Sequence, residues 1–327
     1  MNSVQILLPT TIDTRIPMPD GATAVAYDPA APLPESAKTA DGLVLWGGAK
    51  DLPEVAAREL PGLRWVQTLG AGYENVVAAG FDETVTICNG ASLHDATVAE
   101  HALMLSLAAA RRVDVFVRDQ MERRWGDRGG LQDLDNAREL TTLAGARVVV
   151  WGFGGIGQTL APYLRMLGAD VTGVARSAGE RAGFPVVTED DVDRLLPETD
   201  VLVMILPGVE DNKHALDERR IGLLPRTSWL VNVGRGNTVD EAALVRALAA
   251  GRIGGAALDV FEVEPLPAES GLWALDNVIV SPHAAGGRPR GYADLIAQNA
   301  SALLGSGTWR NVVRAGLDVA SGDGRLS

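Results

Sequence analysis

The run Val148-Val149-Val150-Trp151-Gly152-Phe153-Gly154-Gly155-Ile156-Gly157 carries an apolar, β-branched stretch straight into Gly-x-Gly-x-x-Gly. Consecutive valines favour a strand. After the glycines, Leu160, Tyr163, Leu164 and Leu167 recur at helical spacing. In such a strand–turn–helix unit each glycine has a task. Gly152 makes the tight turn, Gly154 lets backbone approach a pyrophosphate, and Gly157 lets helix and strand pack closely. Amides at the helix start then hold phosphate charge, so Gly152, Phe153, Gly154, Gly155, Ile156 and Gly157 are the expected dinucleotide-binding edge. Glycine is common in this chain, with 37 residues, so the hexad alone carries little weight. The strand before it, the helix after it and a second strand at Val171–Ala175 carry the reading, against the alternative of a glycine-rich turn with no ligand.

Short apolar runs recur on both sides of this unit. Ahead of it stand Val4–Leu8, Ala22–Tyr27, Leu43–Trp46, Trp65–Leu69 and Val85–Cys88, separated by segments such as Pro53–Leu60. From the unit onward come Arg147–Trp151, Val171–Ala175, Val201–Leu206, Trp229–Val233, Gly255–Asp259 and Val278–Ser281. Helical patterns alternate with them from Ile156, over Glu189–Leu196 and Asp240–Ala250, and finally near Tyr292–Leu304. This alternation predicts an α/β fold with parallel sheets. A length of 327 residues suggests about two domains. The expected division is 1–94 with 287–327 as one domain, and 95–286 as an inserted dinucleotide-binding domain. A helix N-capped by Asp95 and running to Arg112 is apolar on most faces, which predicts burial in a core or subunit interface. The charged stretch Arg118–Leu140 reads as an extended arm.

Acidic residues outnumber basic ones, 42 to 29, for a net charge of −13. That balance argues against nucleic acid or an anionic membrane as a partner. The lone cysteine, Cys88, excludes an internal disulfide and a cysteine-based zinc site and is expected in the core. No His/Asp/Glu cluster has ligand spacing, so no metal is expected. No run approaches ~18 apolar residues, so no membrane span is expected. Met1–Thr10 lacks a basic region followed by an apolar stretch, so the expected location is cytoplasmic.

The end of the second strand selects the cofactor. An NAD-binding unit usually carries an acid ~20 positions after the glycines, accepting from the ribose 2′-hydroxyl. Here Gly173-Val174-Ala175 runs into Arg176-Ser177. A guanidinium and a hydroxyl suit a 2′-phosphate, which a carboxylate would repel. NADP is therefore the expected cofactor, with NAD as the second option; the alternative for Arg176 is stacking on adenine or pointing to solvent.

Further segments end strands of the same unit: Val233-Gly234-Arg235-Gly236, Asp259 to Glu264-Pro265, and Ser281-Pro282-His283-Ala284-Ala285. Ligands of open α/β sheets bind beyond such carboxyl ends. With the glycine loop upstream, these segments, in this order, resemble the D-2-hydroxyacid dehydrogenase family, specifically its NADP-linked glyoxylate/hydroxypyruvate reductase-like members. The resemblance covers almost the whole chain. It implies two Rossmann-like domains, a flavodoxin-like substrate domain and the inserted dinucleotide-binding domain, with the active site in the interdomain cleft. It also implies a homodimer formed through the helix and arm of about residues 95–142.

Carried over residue by residue, the resemblance makes His283 the catalytic acid/base and Glu264 its hydrogen-bonded carboxylate. Arg235 binds the substrate carboxylate and polarises the carbonyl. Asp259 lies near the nicotinamide carboxamide, amides of Ala71 and Gly72 hold the substrate carboxylate, and Leu206-Pro207 packs along the adenosine. Val233, His283 and Ala285 complete the expected cofactor contacts. The chemistry is coherent. A 2-oxo acid needs a hydride, a proton for the developing alkoxide and a cation for its carboxylate. Histidine, with a reference pKa of about 6.5, carries a proton near neutrality. A nearby carboxylate stabilises the imidazolium, and arginine's fork matches a carboxylate.

Of the other histidines, His101 reads as a packed core residue, His214 as solvated and His94 as surface. Trp46 either walls the substrate side or packs in the core, and Trp125 could reach a partner's active site. The expected activity is hydride transfer from NADPH to a small 2-oxo acid, giving the D-2-hydroxy acid. Two alternatives stay open: a cofactor-sensing, corepressor-like binding protein on the same fold, and an NAD-dependent phosphoglycerate or phosphite dehydrogenase-like enzyme. Glu264 disfavours a formate dehydrogenase, where the resemblance puts glutamine.

Overall fold

The computed structural model describes residues 3–126 and 136–317. The chain divides into two compact units, Met1–His94 with Arg288–Ser327, and Asp95–Gly287.

In the first unit, strands β1 (Val4–Pro9), β2 (Ala22–Tyr27), β3 (Gly42–Leu45), β4 (Trp65–Thr68) and β5 (Thr86–Cys88) form a parallel sheet. Their order is β5-β4-β3-β1-β2, the flavodoxin-like arrangement, and β14 (Val312–Arg314) adds an antiparallel edge beside β5. The strands read as continuous apolar runs because both sheet faces are covered. Leu7, Leu43, Val66 and Ile87 pack on one side with Leu52 and Ala56 of α1 (Leu52–Glu59). Ile6, Leu8, Val44 and Trp65 pack on the other with Leu295, Ile296 and Ala300 of α9 (Tyr292–Leu303).

Among its described residues the second unit holds eight strands: β6 (Arg147–Trp151), β7 (Asp170–Val174), β8 (Gly179–Arg181), β9 (Phe184–Val187), β10 (Val201–Met204), β11 (Trp229–Asn232), β12 (Gly255–Leu258) and β13 (Val278–Val280). The order is β13-β12-β11-β10-β6-β7-β9-β8, and only β8 runs antiparallel to its neighbour. Chain order reverses between β6 and β10, which makes a topological switch point, and parallel register brings the carboxyl ends of β6 and β10–β13 to one edge. Helix α5 (Gly155–Met166) buries Leu160 and Leu164 against Val148 and Val150. On the opposite face α8 (Glu241–Ala249) packs Leu244 and Leu248 near Val149 and Leu202.

The strands and main helices lie within a few residues of the ranges expected from periodicity. Three features differ. The β8–β9 hairpin was not anticipated, because three polar or glycine residues, two of them exposed, and an inserted Pro185 carry no hydrophobic period. Helix α3 (Asp95–Ala110) starts at Asp95 itself, and the chain turns at Arg112, whose φ is +51°. Beyond it the expected arm begins inside a second helix, α4 (Val113–Met121); residues 127–135 of that arm lie outside the described residues. Among the described residues no helix is long and apolar enough to cross a membrane.

Cys88 is fully buried in the first unit's core, and burial pushes its thiol up to about 12. A thiol-specific reagent at pH 8 should therefore leave the native protein unmodified and titrate one thiol after denaturation; rapid native labelling would contradict this packing.

Candidate active site

The glycine loop has the shape the motif requires. Gly152 sits at φ +105°, and a Cβ there would meet the Ile205 carbonyl oxygen at 2.5 Å. A Cβ on Gly157 would press on the Gly152 oxygen at 3.0 Å, whereas one on Gly154 would project into open space. The loop thus exposes backbone at Gly154 while closing helix onto strand at Gly157, which fits a pyrophosphate at the start of α5. Phe153 belongs to this loop through its backbone. Its ring is buried and packs edge-on against Phe184 with centroids 6.2 Å apart, so only its backbone faces the loop.

Arg176 and Ser177 follow β7 and are exposed. Among the described residues Arg176 has no hydrogen-bond or ion-pair partner. Arg181, on β8, was missed in the sequence because its strand was missed. Its guanidinium donates to the Phe153 carbonyl (3.3 Å), the Ser177 carbonyl (3.0 Å) and Ser177 Oγ (2.6 Å). It therefore ties the glycine loop to the loop after β7. Leu206 is half-buried and Pro207 exposed in the loop after β10.

The next three strands deliver the candidate chemistry. After β11, Arg235 is half-buried in an extended conformation. Its guanidinium donates to the Gly234 carbonyl at 2.7 Å, and Asn232 and Thr238 hold its own carbonyl. Glycines on either side are needed. A Cβ on Gly234 would meet Leu206 backbone at 2.7 Å, and one on Gly236 would collide with the Phe261 carbonyl. Val233 is buried beside this loop. After β12, Glu264 turns back so that Oε1 accepts from the Phe261 amide (3.0 Å), while Oε2 stands 2.7 Å from His283 Nδ1. A carboxylate accepts only, so Nδ1 carries the hydrogen and Nε2 is left for another partner. The His283 side chain is 47% exposed.

His283 has φ +51°, a left-handed conformation that costs a non-glycine residue about 1–3 kcal/mol. Asp259 is involved in maintaining it. Its carbonyl accepts from the His283 amide at 2.8 Å. Its carboxylate, 0% exposed, accepts from the Ala284 amide (2.9 Å), the Ala285 amide (3.0 Å) and Ser281 Oγ (2.6 Å). His101 Nε2 of α3 lies 3.0 Å from Ser281 Oγ and 3.2 Å from the same carboxylate. His101 is thus part of a polar network rather than a packed core residue. A helix apolar on most faces made it look like core.

Of the remaining histidines, His94 differs from the surface expectation. His94 is buried, 6% exposed, stacked on Trp46 with centroids 5.4 Å apart and bonded to the Leu69 carbonyl at 2.8 Å. His214 is partly exposed and pairs with Glu262 at 2.6 Å. Burial raises the carboxyl of neighbouring Glu241 above its ordinary range. In the first unit, Ala71 and Gly72 lie in the loop after β4. Their amides have no hydrogen-bond partner among the described residues, while Asn89 Nδ2 holds the Ala71 carbonyl at 2.8 Å. Adjacent free amides of this kind suit an anion. Trp46 lines a cavity of about 620 Å³ in the same unit with Thr10, Thr11 and Arg288. Trp125 is 93% exposed. Among the described residues no group of three or more His, Cys, Asp or Glu could hold a metal ion.

A doubly wound sheet, a glycine loop at its switch point and an acid-paired histidine on the same edge define an NAD(P)-binding oxidoreductase. Residues 103–285 match the model for the D-isomer specific 2-hydroxyacid dehydrogenase, NAD binding domain, and the chain belongs to that family. It is 35% identical to a glyoxylate reductase of Thermococcus onnurineus over 251 residues, 73% of this chain and 72% of that protein. Among solved structures, it resembles a D-isomer specific 2-hydroxyacid dehydrogenase from Xanthobacter autotrophicus Py2 in complex with NADPH and MES. That match has a TM-score of 0.78 and 28% identity, covering 96% of this chain and 98% of the other. It also resembles an NADPH-dependent glyoxylate/hydroxypyruvate reductase from Sinorhizobium meliloti in complex with NADP and malonate. There the TM-score is 0.73 and the identity 28%, covering 95% of this chain and 97% of the other.

Proposed function

We propose that the protein reduces glyoxylate, hydroxypyruvate or a similar small 2-oxo acid with NADPH, giving the D-2-hydroxy acid. The observation that carries this reading is the 2.7 Å pairing of His283 with Glu264 on the sheet edge that also bears Arg235 and the glycine loop. The glycine loop, Val233, Leu206, Pro207 and Ala285 are the residues that would hold the dinucleotide. When bound, its reduced nicotinamide supplies a hydride for the carbonyl carbon. His283 gives its Nε2 proton to the carbonyl oxygen as charge develops there, and Glu264 stabilises the imidazolium before transfer. Arg235 binds the substrate carboxylate and polarises the carbonyl. Asp259 acts by holding the histidine loop; both its oxygens accept from that loop.

A substrate panel followed by NADPH absorbance tests the activity. His283→Ala should lower kcat by about 10²–10⁴-fold while nucleotide still quenches or shifts tryptophan fluorescence as in the parent. Near-parental turnover of that variant would remove His283 from the role. Tight nucleotide binding with no turnover on any 2-oxo acid would favour the binding-protein alternative.

The NADP preference rests on Arg176, unpaired among the described residues, and on Ser177, whose Oγ already accepts from Arg181 and so keeps its hydrogen for a phosphate oxygen. Arg176→Ala should raise the KM for NADPH about tenfold and leave that for NADH within about twofold, the scale of one charge-assisted contact. An NADH preference in the parent enzyme would refute the assignment.

A homodimer is supported by α4, where Val113, Phe116, Val117 and Met121 are exposed at helical spacing. Light scattering should give about twice the chain mass of 34.4 kDa, and a monomer at working concentration would exclude it.

A further inference from the structure

We infer that Thr97 and His101, one helical turn apart on α3, are positioning residues that clamp the His283 loop at both ends. At its start, His101 Nε2 donates toward Ser281 Oγ, which passes its own hydrogen to the buried Asp259 carboxylate. At its end, Thr97 Oγ1 donates to the Gly286 carbonyl at 2.7 Å, and Gly287, at φ +57°, packs on the Thr97 side chain. The i, i+4 spacing puts both groups on one helix face. Between these anchors lies His283 in its left-handed conformation, its amide held by the Asp259 carbonyl. Strained backbone persists only where its surroundings over-determine it. Here one carboxylate takes two loop amides and a hydroxyl, and the helix supplies the donor that completes this set. A buried carboxylate short of a donor recruits a substitute, and the nearest groups able to move are the loop's own.

Neither residue touches the reacting atoms in this reading, which rests on the proposed role of His283. The expected consequence of losing the clamp is a fall in kcat with binding spared, since small displacement of a catalytic group costs far more in rate than in affinity. His101→Leu keeps the packing volume and removes the donor, whereas His101→Gln restores an N–H at a similar reach. His101→Leu should lower kcat about ten- to a hundredfold. It should leave the substrate KM within about threefold and the nucleotide Kd, read by fluorescence, within about twofold of the parent. His101→Gln should recover most of the loss, and Thr97→Val should fall in the same direction by a smaller factor. Crystal structures of His101→Leu and Thr97→Val provide a readout independent of turnover. In at least one of them His283 should leave positive φ or lose its Nδ1–Glu264 contact. The clamp is overturned if His101→Leu keeps kcat within twofold of the parent, if His101→Gln is no better than His101→Leu, or if both crystal structures keep the His283 geometry unchanged. Absence of turnover in the parent enzyme would refute the proposed activity instead, and the crystal structures would then decide the clamp alone.

Discussion

A histidine does not hold a left-handed backbone without help. The imidazole of His283 meets Glu264 only because its own φ is +51°, and that conformation is bought from the buried carboxylate of Asp259. The carboxylate sits at the end of β12 with no exposure to water, so its charge must be answered by donors within the fold. Ser281, Ala284 and Ala285 supply them from one tight loop, and wrapping that loop around a point charge needs the small side chains found at Ala284 to Gly287. The charge is therefore folded into the loop geometry. A neutral side chain of the same shape at position 259 would leave the loop amides competing for a weaker acceptor.

What the amino-acid sequence revealed, and what it hid, follows from where each group faces. The strands of both sheets were legible because they are buried on two faces and must be apolar throughout, as in Val148–Trp151 and Val201–Met204. Arg235, Glu264 and His283 were legible because each follows such a strand and brings a charged or titrating side chain where an apolar one would extend the run. The supporting residues were not. His101 stands in a helix that buries Ala102, Leu105 and Ala109, and a single polar residue there has no periodic signature that distinguishes packing from hydrogen bonding. His94, just ahead of the helix, was assigned to the surface, yet ring stacking on Trp46 buries it. The β8–β9 hairpin is too short and too exposed to leave a period-two pattern, so Arg181 on it was invisible as a partner of the glycine loop.

That hairpin matters for the electrostatics of the glycine-loop edge. The chain as a whole is strongly acidic, which by itself repels a dinucleotide carrying phosphate charge. Local structure reverses the sign. Arg176 stands free of partners among the described residues, and Arg181 is held by carbonyl and hydroxyl oxygens, neutral acceptors that leave its positive charge uncancelled. The start of α5 adds its own partial positive charge, partly offset by the Asp95 carboxylate that lies against Gly155. A region of positive potential can thus persist on an acidic molecule because the cations there are tied to dipoles and not to carboxylates.

The same rule sets Arg235 apart from the ion-paired arginines of the second unit. Arg147, Arg219 and Arg220 each face at least one carboxylate within 3.5 Å, as expected in a chain with 42 acids. Arg235 faces none among the described residues; its guanidinium is steadied by the carbonyl of Gly234, and its stem lies against Gly208, where a Cβ would stand 3.1 Å away. Keeping a half-buried guanidinium unpaired costs desolvation with no Coulombic return; Gly208 leaves room for its stem, while Gly234 and Gly236 let the flanking backbone pack on Leu206 and Phe261. A fold recovers that cost only when an external anion arrives, and a planar carboxylate, which a guanidinium grips with two parallel hydrogen bonds, is the anion such a fork fits best.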